Sequence, residues 1–217
     1  MKLGFIVLSW LTLAVGLTAC GASGAKLHGT VLEPPLTTVD LPLIDQDGQA
    51  ARIGDFKGNP VLVFFGYTHC PDVCPVTLGR FKQIRNMLGA DGARVRFVFV
   101  TVDPERDTPA RMKEYLANFD PGFVGLTAGT DTLAQVYRAY GIHVEEIMPD
   151  SSASNDASHS VAHTSSIFLL DDKAQVRLIY GDTPWQDVAA DLRFFLSNLA
   201  KVSFDSTSLR SGQPSQG

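Results

Sequence analysis

Apolar and polar positions fall into blocks whose period switches repeatedly along the chain. "GNPVLVFFGY" (58–67) is an unbroken apolar run behind a Gly-Asn-Pro break, which predicts a strand buried on both faces. The period then becomes helical, with Leu78, Phe81, Ile84 and Leu88 on one stripe. Pro75 suits the first turn of that helix, where a missing N–H does no harm, and "GADG" closes it. "RVRFVFVTVD" (94–103) reads as a second strand. "DTPARMKEYLANF" (107–119) is a helix with Thr108 as its cap and Pro109 at its first position. "VGLTAG" is a short strand, and "TDTLAQVYRAYGI" a helix capped by Thr130 or Asp131. "SIFLLDDKAQVRLIYG" is a strand pair turning at "DDKAQ", and "TPWQDVAADLRFFLSNLAK" (183–201) is a last amphipathic helix. Upstream, "IDQDGQ" (44–49) carries the Asp-Gly signal of a tight hairpin.

Strands alternating with helices imply an α/β domain with a mainly parallel central sheet, helices on both faces and an N-terminal β-hairpin. A flavodoxin-like sheet is the competing architecture. The closing β-β-α order, and a cysteine pair at a strand-to-helix junction, favour a thioredoxin-like fold.

Composition adds compartment. The chain has 217 residues, 45% hydrophobic and 19% charged, with a formal net charge of −5. It lacks the basic face that nucleic-acid binding would need. "MKLGFIVLSWLTLAVGLTAC" has an early cation, an apolar run and small residues before Cys20, the shape of an export signal. "LTAC" resembles a bacterial lipobox, which makes 1–19 a lipoprotein signal peptide and Cys20 the lipidated residue. An uncleaved anchor helix is the alternative; both tether an exported domain to a membrane. Residues 20–34 read as a flexible tether, 35–200 as the domain and 201–217 as a disordered tail. The expected location is the outer face of the cytoplasmic membrane or the periplasm.

Of three cysteines, lipidation of Cys20 leaves Cys70 and Cys74, in "GYTHCPDVCP", on the oxidising side of a membrane. At the start of a helix, free N–H groups and the macrodipole favour thiolate, as both disulfide exchange and soft-metal binding require. A pair one helical turn apart is within disulfide reach. A metal needs further ligands from five histidines. His28 lies in the tether and reads as solvated. His69 abuts Cys70 with a ring free to point away. His143 reads as a surface or packing residue, and His159 lies in a Ser- and Asp-rich loop. His163, in "VAHTSSIFLLD", directly precedes a strand whose leading loop faces the cysteines in a thioredoxin-like sheet, where thioredoxins carry a proline absent here. Two thiolates and an imidazole form a soft, three-ligand set suited to holding copper and passing it on, with zinc as competitor.

"GYTHCPDVCP", "VFVTVDPERDTP" and "VAHTSSIFLLD", in that order, resemble the Sco/SenC family over residues 35–200. The resemblance implies a thioredoxin-like, membrane-side copper chaperone that helps build the dinuclear copper centre of cytochrome c oxidase. It implies copper, as Cu(I) or Cu(II), on Cys70, Cys74 and His163, with Asp103 nearby; Asp103 equally suits a turn cap. Implied partners are the copper-bearing oxidase subunit and another exported copper chaperone or a thioredoxin-like reductant. The segment 147–160 departs from the family pattern, being polar and serine-rich. It leaves His159 as a transient ligand or part of a partner-specific loop, and Met148 as loop packing. The competing function is a thiol-disulfide reductase that uses Cys70 and Cys74 to keep the target's cysteines reduced. A peroxiredoxin frame is excluded, because Tyr67 and Val63 stand where its Thr and Pro would be.

Overall fold

The structure is a computed structural model and describes residues 26–147 and 160–210. The strands are β1 (Thr30–Thr37), β2 (Leu43–Asp45), β3 (Ala50–Ala51), β4 (Val61–Gly66), β5 (Arg96–Thr101), β6 (Val124–Thr127), β7 (Val144–Ile147), β8 (Ser160–His163), β9 (Ile167–Leu170) and β10 (Gln175–Tyr180). The helices are α1 (Val73–Leu88), α2 (Pro109–Ala117), α3 (Thr130–Tyr140) and α4 (Trp185–Arg210).

Among the described residues, eight strands form one sheet in the order β1-β10-β9-β4-β5-β6-β2-β3, and β7 pairs with β8 in a separate ribbon. Only β4, β5 and β6 run parallel. β9 is antiparallel to both β4 and β10, and β1 is antiparallel to β10. The mainly parallel expectation therefore holds for the sheet centre and fails at its flanks. A tight turn can join only antiparallel strands, so the "DDKAQ" hairpin imposes that sense on β9 and β10. This also removes the flavodoxin-like alternative. In the turn, the Asp171 carboxylate accepts from the amides of Lys173 and Gln175 at 2.9 and 3.0 Å.

The Asp-Gly hairpin forms as expected between β2 and β3. Asp45 Oδ1 accepts from the amides of Asp47 and Gln49, and Gly48 takes the positive φ of 77° that a side chain would resist. It lies at the sheet edge beyond β6.

Two boundary expectations change. The tether of 20–34 gives way to β1 from Thr30, and His28, though exposed, is tied to the domain. Its amide donates to Asp191 at 3.0 Å, and its ring Nδ1 lies 2.8 Å from the same carboxylate, which is 2% exposed. The Tyr180 hydroxyl donates to that carboxylate too. A buried carboxylate needs such donors, and the chain entering the sheet supplies them. At the other end, α4 continues to Arg210, past the expected stop at Lys201. Extending an existing helix adds one bond per residue fixed, and no Gly or Pro interrupts residues 202–210. Residues 211–217 lie outside the described residues.

β4 carries the core. Its successive side chains point to opposite faces. Phe64 meets Phe81 of α1 edge-on at 6.4 Å, and Phe65 meets Tyr137 and Tyr140 of α3 at 6.2 and 5.1 Å. The two helices thus cover opposite faces. Every residue of β4 is buried, so the chain emerging from it delivers "THCPDVC" at a defined corner.

Candidate metal centre

The corner is built from backbone upward. The Cys70 amide donates to the Tyr67 carbonyl at 3.2 Å, closing a tight turn after β4. α1 begins at Val73, so Cys74 stands in its first turn and Pro75 beside it. The Cys74 amide reaches the Cys70 sulfur at 3.4 Å. Both cysteines are free thiols, Cys70 being 9% exposed and Cys74 fully buried. The structure brings these two predicted residues together.

Burial pushes the Cys74 thiol far above its ordinary range. The neighbouring Cys70 sulfur and the Asp107 charge act the same way, while a backbone hydrogen bond from Tyr67 opposes them. The expected thiolate-favouring effect of the helix start is outweighed. A helix terminus contributes at most about 2 kcal/mol, whereas full burial shifts a pKa by up to about 3–5 units, each worth about 1.4 kcal/mol. In a limiting iodoacetamide reaction at pH 7.5, Cys70 is expected to be alkylated first and Cys74 at least tenfold more slowly. Peptide mass mapping checks this, and equal rates would contradict the burial.

Asp107 is a functional residue that the sequence reading missed. It is fully buried. Its carboxylate accepts from the Thr68 amide at 3.0 Å, the Thr68 hydroxyl at 2.6 Å and the Thr101 hydroxyl at 2.7 Å. It therefore clamps the residue two places before Cys70. Burial raises its pKa despite these donors. The available signal was an acid between Arg106 and a Thr-Pro helix start, a position that strand or helix periodicity does not mark.

Asp103, the acid the sequence did single out, is buried and paired with Arg106 Nε. The Arg106 guanidinium lies 5.8 Å from the centre of the Tyr67 ring. The His69 ring turns to Thr68 Oγ1 at 3.2 Å and lies 3.8 Å from Asp107. His143 is exposed, with its ring 3.9 Å from Glu145. His163 closes β8, its backbone opposite Val144; its ring is outside the described residues, as are Cys20, Met148 and His159. Among the described residues, no three His, Cys, Asp or Glu side chains converge as a metal site. No described helix is long and apolar enough to cross a membrane.

A buried dithiol between a central parallel strand and a helix start defines a thioredoxin-like protein of the thiol- or soft-metal-handling class. The chain belongs to the SCO1/SenC family, whose sequence pattern matches residues 32–197. It is 37% identical to Bradyrhizobium japonicum ScoI, solved with copper bound, at a TM-score of 0.65 over 73% of this chain and 98% of that one. Apo Sco1 from Thermus thermophilus is 32% identical, with a TM-score of 0.67 over 79% and 98%. The SCO2-like protein of Rickettsia felis is 36% identical over 132 residues, 61% of this chain and 63% of that protein. The mitochondrial SCO2 homolog of Bos taurus is 39% identical over 133 residues, 60% of this chain and 48% of that protein. The matches thus span from about half to just under two-thirds of these curated relatives.

Proposed function

We propose that the chain is a copper chaperone for cytochrome c oxidase assembly, holding copper through Cys70, Cys74 and His163 and delivering it to the oxidase's copper-bearing subunit. The observation that carries this reading is the dithiol corner, where two buried free thiols meet and the Cys74 amide reaches the Cys70 sulfur at 3.4 Å. Its support from outside is the likeness to a copper-bound ScoI. Paired sulfurs favour Cu(I), and an imidazole is compatible with it. The described side chains offer two ligands at this corner, which leaves a place for His163. Burial keeps the Cys74 thiol protonated when copper is absent, so loading displaces its proton and tightens as pH rises. The membrane tether through Cys20 belongs to the same proposal and rests on the first twenty residues alone.

The test is an anaerobic Cu(I) competition titration of the reduced full-length protein, with X-ray absorption to count sulfur and nitrogen ligands. One copper with two sulfurs and one nitrogen is expected. His163→Ala is expected to weaken binding about 100-fold, the cost of a lost first ligand being on the order of 3 kcal/mol. Unchanged affinity in that variant would remove His163 from the site. The thiol-disulfide reductase reading keeps one observation in its favour, the two free thiols within one turn. It predicts that dithiol exchange survives His163→Ala. Burial of Cys74 does not separate the two readings, because copper binding and exchange both draw on a thiolate.

A further inference from the structure

The two halves of the proposed site sit on different elements, and His163 joins the main sheet only through residues 164–166, which lead into β9 beside β4. Cys70 and Cys74 follow β4, whereas His163 ends β8, whose ladder partner is β7 outside the main sheet. Beneath this ribbon lies a cavity of about 110 Å³, lined by Val144 and Val161 of the ribbon and by Asp103, Leu133 and Tyr137 of the domain.

Tyr67 touches both halves. Its carbonyl accepts from the Cys70 amide at 3.2 Å. Its phenol oxygen accepts from the Val161 amide at 3.3 Å, two residues before His163. The side chain is itself only 3% exposed, and its ring lies against the Arg106 guanidinium, which Asp103 holds in turn. The phenol is therefore aimed by its surroundings, and the Val161 amide it satisfies belongs to a buried residue. A buried N–H that loses its acceptor must move or stay unpaired.

From this geometry we infer that Tyr67 is a positioning residue, registering the His163 strand against the cysteine corner. The inference rests on His163 being a copper ligand. Tyr67 touches no copper in this scheme; it acts through β8. Phenylalanine keeps the ring against Arg106 and removes the acceptor, so Tyr67→Phe separates the tie from the packing.

The experiment is a double-mutant cycle on the full-length reduced protein in detergent, with Tyr67→Phe, His163→Ala and the pair. Cu(I) affinity is measured by competition, and the Cu(II) form by electron paramagnetic resonance. Tyr67→Phe alone is expected to weaken Cu(I) about fivefold to tenfold, the equilibrium effect of one buried neutral hydrogen bond. It is also expected to shift the Cu(II) spectrum. In the His163→Ala background the same change is expected to do nothing, because the tie has no ligand left to place. Amide exchange at Val161 is expected to quicken about tenfold in Tyr67→Phe, which shows the tie released in a folded protein. An equal loss in both backgrounds, or no loss where His163→Ala weakens binding, overturns the positioning role and leaves the ligand reading standing. Unchanged affinity in His163→Ala alone overturns the ligand reading, and this inference falls with it.

Discussion

Asp107→Ala is expected to destabilise the domain by about 3 kcal/mol and to lower Cu(I) affinity by at least tenfold. The carboxylate is fully buried and accepts from Thr68 and Thr101, both buried themselves. Alanine leaves the Thr68 amide without its acceptor and opens a void. An orphaned buried donor costs about 1–3 kcal/mol, and the lost hydroxyl partners and packing add to it. Thr68 stands two residues before Cys70, so the damage falls on the turn that sets the first sulfur. Asp107→Asn keeps the shape and one acceptor, and should cost about half as much. Its pH dependence gives a second check. Burial raises the Asp107 pKa in the folded state. A raised carboxyl contributes stability that is present below its ordinary range and is lost as pH rises through the raised value. Asparagine has no such titration, so the wild type's margin over Asp107→Asn is expected to narrow as pH climbs from about 4. Urea unfolding from pH 4 to 7 measures it; a margin that widens would contradict the assigned direction.

Gly66→Ala is the second large effect. Gly66 ends β4 opposite Thr101, and its carbonyl accepts from the Val102 amide at 2.8 Å. A methyl at Gly66 would stand 2.8 Å from the Cys74 sulfur and 2.9 Å from both Phe64 and Phe99. Such contacts are too short to keep, and the neighbours are two core rings and the thiol itself. Overpacking a filled core costs about 1–3 kcal/mol, and the value here should lie at the upper end. For a domain of this size that lowers Tm by about 5–10 °C. Displacement of the sulfur should weaken copper binding further than stability alone explains. A variant that melts within 2 °C of wild type, by about the scale that 1 kcal/mol produces, and binds copper equally would refute this packing of Cys74.

Both effects bear on legibility. The elements were readable because burial imposes a period. The "VLVFFG" run announced a central strand, and Leu78, Phe81, Ile84 and Leu88 announced the helix that now covers its Phe64 face. The Asp-Gly and "DDKAQ" turns were readable because their residues answer local backbone demands. β1 was not readable as a strand, since its partner β10 lies at the other end of the chain and its own burial pattern is irregular. His28 looked like part of a tether for the same reason: its partner, Asp191, is 163 positions away.

The cysteine pair shows the division most sharply. By themselves, the residues determined that two thiols stand four positions apart at a strand–helix junction, because spacing and local period are properties of the chain. Only the tertiary structure decided that Cys74 is buried beside Gly66 with its thiol pushed toward the protonated form, that Asp107 clamps the turn, and that Tyr67 reaches across to β8. Those outcomes depend on which distant groups share one low-dielectric corner, and proximity in space is the quantity that order along the chain does not carry.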